Sequence, residues 1–215
     1  MGRGVPDSTI GILVSVLAGY LAGSLPFGYW LVRIGKGVDI RTVGSGNMGA
    51  SNVWRTYGTK YGLAVIVLDV AKGFVPAFLA TMYVSKLAGV LAGLAAMLGH
   101  ARPLFLRFQK GGKMVATGGG AFLGVAPEPA LICLGIWIAV FLATRYPSVA
   151  SIVTAVAVVV LTIVFGEPWP VVAFAGVAAA AVIVLHRANL KRLRAGTENR
   201  ATLPFRRRRA SGSGA

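Results

Sequence analysis

The sequence predicts an all-α, polytopic membrane bundle of about seven transmembrane helices. Two compositional facts and one pattern point there. Hydrophobic residues make up 56% of the 215, and the mean hydropathy is +0.73. Charged residues are 13%, against about 25% in a soluble domain. The apolar residues also gather into runs close to the roughly 20 that a helix needs to cross a bilayer core of about 30 Å. The single cysteine, Cys133, lies within one such run and reads as a small buried hydrophobe. Alone, it can build neither a disulfide framework nor a zinc set.

The first run, from about Thr9 to Val32, holds Gly23, Ser24, Pro26 and Gly28 in its second half. Proline removes a backbone donor and small residues allow close approach, so this half is expected to kink and pack tightly. A polar loop follows from Arg33 to about Lys60. The second run, Tyr61 to Val84, carries Asp69 and Lys72. Ionisable groups inside a membrane are costly; these two mark either a functional site or a structural ion pair on one helix face. The third run is short, about Leu87 to Leu98. Met114 to Val125 is a half-length segment broken by glycines, of the kind that lines a binding site. Further runs cover about Pro129 to Thr144, Ser148 to Phe165 and Pro170 to Leu185. Residues 1–200 thus read as one membrane domain, and 201–215, with Arg206 to Arg209, as a basic disordered tail.

The formal charge of +16 calls for anionic partners. The cations punctuate apolar runs instead of forming a separate polar domain, which favours lipid and phosphate and argues against nucleic acid. With seven spans, 19 of the 22 lysines and arginines fall on one face. Arg3 and Lys86 fall on the other, and Lys72 lies within a span. The positive-inside rule then puts the N-terminus outside and the C-terminus in the cytoplasm. Both histidines, His100 and His186, come to cytoplasmic helix ends.

Three polar stretches share that face. Gly99 to Gly120, GHARPLFLRFQKGGKMVATGGG, has His100 and the cations Arg102, Arg107, Lys110 and Lys113, the last behind Gly111 and Gly112. Glycines let backbone amides approach an anion, a lysine adds a charge, and a helix starting there adds its dipole. That describes a phosphate cradle; the alternative is a basic loop resting on anionic lipid. It is not a Walker A loop, because Met114 stands where a hydroxyl would hold magnesium. Asp39 to Arg55, DIRTVGSGNMGASNVWR, offers hydroxyls, amides and glycine backbone between Arg41 and Arg55, a second anion nest or else a flexible connection. His186 to Arg200, HRANLKRLRAGTENR, sets His186 and Asn189 one turn apart, with Glu198 the one acid among many cations. His186 can act there as a general base, as a donor to an oxyanion, or only as a helix-end residue. There is no His-x-x-x-x-Asp, no metal-ligand set and no carboxylate cluster for magnesium, which argues against a nucleotide-dependent phosphotransferase. No cofactor or metal is expected.

Taken together, these stretches resemble the bacterial membrane glycerol-3-phosphate acyltransferases that use acyl phosphate as donor. GYLAGSLPFGYWL is similar to that family's first helix, DIRTVGSGNMGASN to its GSGNxGATN loop, and LDVAKG to its second-helix motif. GHARPLFLRFQKGGKMVAT resembles GHxxPxFxxFxGGKGVAT, and TRYPSVASI and HRANLKRLRAGTEN resemble later motifs. Three departures stand out: Ser51 for threonine, Met114 for glycine, and one extra residue near Gln109. The resemblance implies a catalytic part for His186, Asn189, Ser45 and Lys113. It implies substrate contact for Gly46, Asn47, Asn52, Arg55, Lys72, His100, Lys110, Gly111, Gly112, Thr117 and Glu198, with Glu198 organising the site. The implied partners are glycerol 3-phosphate, acyl phosphate and membrane lipids, with no obligate protein partner. The implied location is the bacterial inner membrane, with the active site facing the cytoplasm. A transporter of organic phosphates is the competing class, and it has few polar residues in the outer halves of the spans to line a path.

Overall fold

The computed structural model describes residues 9–201. The expected tail beyond Ala201, including Arg206 to Arg209, lies outside the described residues. The described residues form ten α-helices: α1 (Thr9–Gly23), α2 (Phe27–Lys36), α3 (Ala50–Tyr57), α4 (Thr59–Tyr83), α5 (Lys86–Ala101), α6 (Val115–Val125), α7 (Pro127–Thr144), α8 (Pro147–Val164), α9 (Trp169–Leu185) and α10 (Arg187–Arg194). Among the described residues there is no strand. By length and composition five spans among the described residues can cross a membrane, or six if α9 and α10, bent by 54°, are taken as one. The protein is therefore an integral membrane protein.

The first expected span is broken. Pro26 has no N–H to continue the ladder, and the helix stops at Gly23 before α2 resumes. In a membrane the carbonyls freed by such a break need a partner. Lys72 supplies one, with Nζ donating to the Leu25 carbonyl at 2.8 Å. The polar connection that follows is also not featureless. It contains a 3₁₀ turn, Ile40–Thr42, and the amphipathic α3 between Gly49 and Gly58. Elsewhere the boundaries follow local rules. Ser85 caps α5 by accepting from the Ala88 amide, and α7, α8 and α9 each have proline in the first turn.

Small residues bring the backbones into contact. A Cβ added to Gly19 or Gly23 on α1 would lie 2.3 Å from the Ala92 carbonyl oxygen or 2.1 Å from that of Ala96 on α5. Likewise Gly73 on α4 meets the Thr117 carbonyl, and Gly120 on α6 meets that of Val70, each at 2.0 Å. Lipid tails are as apolar as side chains, so helix association here rests on close van der Waals approach and not on water exclusion. These contacts also fix direction. α1 runs parallel to α5, so Thr9 begins at the end of the bundle away from His100. α6 runs parallel to α4 but has 11 residues, about 16 Å and half the bilayer core. Gly120→Leu should therefore separate α6 from α4 and lower the melting temperature in detergent. An unchanged melting temperature would show that α6 tolerates a looser seat.

α6 is tied on its other side to α9, where Phe122 stacks on Phe174 with centroids 4.2 Å apart. At the end of the bundle away from His100, Lys86 pairs with Glu167 at 3.0 Å and joins the start of α5 to the α8–α9 connection. These links hold the ends of α5, α6 and α9 at one place.

Candidate active site

Two loops meet in front of α6. In the first, Gly44 and Gly46 adopt left-handed backbone, with φ of 60° and 67°, which a glycine enters without steric cost. Asn52, from α3, holds this loop. Its Oδ1 accepts from the Ser45 amide at 2.9 Å, and its Nδ2 donates to the Val43 and Asn47 carbonyls at 3.0 and 2.9 Å. Asn52 is thus turned inward and buried, with its amide occupied by the loop, which it supports; the resemblance had implied substrate contact for it instead. Ser45 is exposed and its hydroxyl has no protein partner among the described residues. Asn47 donates to the Gly111 carbonyl at 3.4 Å and Arg41 to Gln109 Oε1 at 2.6 Å, which fastens the two loops together. Gly46 and Lys110 line a small open cleft between them, about 380 Å³, with Asp39, Arg41, Thr42 and Gln109.

The second loop corrects the phosphate-cradle expectation for Gly111 and Gly112. Their amides are already engaged: Gly111 donates to the Ala101 carbonyl at 2.9 Å and Gly112 to the His100 carbonyl at 3.0 Å. Glycine is required there by space, since an added Cβ would lie 2.1 Å from the His100 carbonyl oxygen at Gly111 and 1.9 Å from His100 Nε2 at Gly112. What the loop does present is Lys113. Its Nζ donates to Asn189 Oδ1 at 2.5 Å, and Asn189 Nδ2 donates to Glu198 Oε1 at 2.5 Å. Ser148 donates to the same oxygen at 2.9 Å, and Arg192 Nε donates to Oε2 at 2.7 Å. Glu198 therefore stands behind Asn189 with both oxygens occupied, and it positions that residue without facing substrate itself. Ser148 was not singled out from the sequence, where it is an ordinary serine after a proline. Its partner is 50 residues away.

His186 sits where α9 bends into α10. Its Nδ1–H donates to the Val182 carbonyl at 2.8 Å. In the neutral ring this leaves Nε2 as a lone-pair acceptor, with no protein hydrogen bond among the described residues. Burial, and after it the Lys113 charge, push this ring down to about 4, against the Val182 hydrogen bond and Glu198, so the imidazole is neutral at pH 7. Burial pushes the Lys113 ammonium down to about 8; Glu198 opposes the shift, while Arg192, Arg55 and Lys110 reinforce it. Arg55 is half-buried and has no hydrogen bond or ion pair among the described residues. Burial lowers its pKa from the ordinary value, Glu198 pulls it back, and Arg192 pushes it down again. Four cations around one fully engaged carboxylate leave net positive charge, reinforced by the N-terminus of α6, where Met114 offers no side-chain cap. The arrangement can hold an anion beside a neutral imidazole nitrogen with a free lone pair.

Three expected contacts lie elsewhere. Lys72 is enclosed within the bundle, 2.7 Å from Asp69, with its remaining reach used on Leu25 and the Phe27 ring. His100 is 3% exposed and lies beneath the loop. Thr117 is fully buried at the α4–α6 crossing. The cost of leaving ions in lipid explains why Lys72 turns to Asp69 and not to the site.

A helical integral membrane protein with a cationic cluster at one end is the class these features define. The chain belongs to the glycerol-3-phosphate acyltransferase family, whose model matches residues 13–196. A glycerol-3-phosphate acyltransferase of Aquifex aeolicus is 44% identical over 190 residues, covering 87% of this chain and 98% of its own. One from Roseiflexus is 46% identical over 197 residues, covering 89% and 96%. Two crystal structures of PlsY (YgiH), an integral membrane glycerol 3-phosphate acyltransferase, are similar in fold. The glycerol 3-phosphate form has a TM-score of 0.85 at 42% identity and covers 89% of this chain and 96% of that one. The lysophosphatidic acid form has a TM-score of 0.82 at 41% identity and covers 89% and 95%.

Proposed function

We propose that the protein transfers an acyl group from acyl phosphate to the 1-hydroxyl of glycerol 3-phosphate, giving lysophosphatidic acid and inorganic phosphate, the first step of phospholipid synthesis. The observation that supports this is the pairing of two cations lacking a carboxylate of their own, Arg55 and Lys113, with the free Nε2 of His186. Both substrates bear a phosphate, and the family's solved members were captured with glycerol 3-phosphate and with lysophosphatidic acid. The glycerol oxygen attacks the acyl carbon, the carbonyl becomes an oxyanion, and the C–O bond to phosphate breaks as the carbonyl reforms. The hydroxyl proton passes to His186 Nε2 or to a phosphate oxygen. Acyl phosphate is already activated, so the residues need only align the two substrates and stabilise charge. Ser45 and Asn47 stand at the loop edge for hydrogen bonds, and Lys110 for charge. The decisive assay is phosphate release from palmitoyl phosphate in purified protein. Release is expected only when glycerol 3-phosphate is present, in equal amount with lysophosphatidic acid. Release without the acceptor, or none, overturns the reading in favour of a hydrolase or a transporter.

The pH dependence follows from Lys113. Its ammonium persists below about 8 and is lost above it, so kcat/KM for glycerol 3-phosphate should fall as pH rises through that value. Lys113→Arg should push this limb beyond pH 10, because guanidinium stays charged. A profile flat to pH 10 in the wild type would remove Lys113 from phosphate binding.

The site face is assigned to the cytoplasm of a bacterial inner membrane by the lysine and arginine bias. In a Cys133→Ala background, Ser51→Cys should resist an impermeant thiol reagent in spheroplasts, and Ser85→Cys, at the other end of the bundle, should react. The reverse pattern inverts the topology.

A further inference from the structure

One buried polar group has no task in this chemistry. His100 ends α5 inside the bundle. Its Nδ1 has no hydrogen-bond partner and lies 3.8 Å from Asp69 Oδ1, which is paired with Lys72 at 2.7 Å. The opposite edge of the ring meets the backbone of Gly112. A Cβ added there would be 1.9 Å from Nε2, 2.5 Å from Cε1 and 2.8 Å from Cδ2. The imidazole is wedged between an ion pair deep in the membrane and the peptide that precedes Lys113. Its floor is firm, since the Lys72 and Asp69 side chains are 1% and 4% exposed and Lys72 is also fixed to Leu25.

We infer that His100 is a positioning residue for Lys113: its ring sets the height of Gly112, and so the place of the ammonium. The inference rests on Lys113 binding a substrate phosphate, as proposed above. A lysine head hangs on a flexible four-carbon stem, so its position depends on how well its backbone is held. Gly112 has no side chain to anchor it; it is held by the hydrogen bond of its amide to the His100 carbonyl and by the ring against its Cα. Misplacing a substrate-holding group by about 1 Å can cost on the order of 10²-fold in rate. His100 needs neither to touch substrate nor to exchange a proton.

The test uses reach. His100→Gln and His100→Asn both keep a neutral polar side chain, but the glutamine amide extends to the position of Nε2, whereas the asparagine amide stops at that of Nδ1. The wedge predicts that His100→Gln keeps KM for glycerol 3-phosphate within about threefold of wild type. His100→Asn should raise it about tenfold or more, with kcat changing less. The opposite order means that His100 matters only for meeting Asp69, and overturns the inference. In a Lys113→Ala background the asparagine change should add less than about twofold, because the residue it positions is gone; a fully additive loss also overturns it. A readout free of turnover is acetylation of Lys113 by an amine-reactive reagent, followed by peptide mass spectrometry. It should run at least about threefold faster in His100→Asn than in wild type or His100→Gln. Should His100→Asn not fold, Gly112→Ala disturbs the same contact from the other side and should show the same faster labelling. Equal labelling throughout refutes the wedge even if the wild type turns over normally. Absence of wild-type turnover, with labelling as expected, instead counts against the proposed reaction alone.

Discussion

His186→Ala is expected to lower kcat about 10²- to 10⁴-fold, the usual contribution of a general base, with the protein still folded in detergent and its melting temperature only modestly lower. The geometry gives the reason. Nδ1–H is fixed to the Val182 carbonyl at 2.8 Å, so the ring is already in the tautomer that leaves Nε2 able to take a proton. His186 is 3% exposed at the bend between α9 and α10, so alanine also leaves a small cavity there and costs some stability. His186→Gln separates the two chemical roles. An amide can hold the glycerol hydroxyl by a hydrogen bond, but it cannot accept the proton. If the donor phosphate takes the proton, His186→Gln keeps most of the activity. If His186 takes it, glutamine is as poor as alanine. An alanine variant with wild-type kcat ends both versions.

Glu198→Ala should have the second large effect, and a different signature: loss of both kcat and stability. Burial alone pushes this carboxyl up, but hydrogen bonds from Asn189, Ser148 and Arg192 overcome that and hold its pKa below the ordinary value. It is therefore an anion at neutral pH, with four neighbours arranged by it directly or through Asn189. Removing it strands the buried donors of Asn189 and Ser148, and each stranded group costs about 1–3 kcal/mol. Lys113 then loses the amide that aims it. Glu198→Gln should recover part of the stability, since one amide oxygen can still accept from Asn189 and Ser148, but its NH₂ faces the Arg192 donor. Activity losses of at least about 100-fold in Glu198→Ala, measured together with melting temperature, check this. Wild-type melting would show that the network contributes nothing to the fold.

Much of this architecture is legible in the sequence because membrane helices must close their own hydrogen bonds, so long apolar runs leave few choices. The residues that meet at the polar end, Arg55, Lys113, His186, Asn189 and Glu198, are readable as well, since chemistry in a hydrophobic chain stands out by residue type. Partner choice is not. A glycine announces that something comes close, but at Gly112 the neighbour is an imidazole and not a phosphate. Asn52 reads as a substrate amide, yet the backbone groups of its own loop lie within its reach and occupy it first. The break before α2 shows the same limit: Pro26 says that the helix stops, but not that Lys72, 46 positions later, receives the freed carbonyl. Such pairings arise only when distant segments fold together.

The shortness of α6 shapes how the two substrates arrive. Gly120 packs at the level of Val70 to Phe74 on α4, so α6 starts on the order of 10 Å below the first residue of that helix. Lys113, two residues before α6, is thus set back from the first turn of α4 toward the middle of the bundle. For the proposed donor, whose tail never needs to leave its leaflet, the search is two-dimensional and depends on molecules per unit area. The soluble acceptor searches in three dimensions and responds to bulk concentration. The donor's KM is then a mole fraction, not a molarity: spreading a fixed amount of acyl phosphate over more inert lipid slows the enzyme, while adding buffer to the whole suspension leaves that contribution untouched.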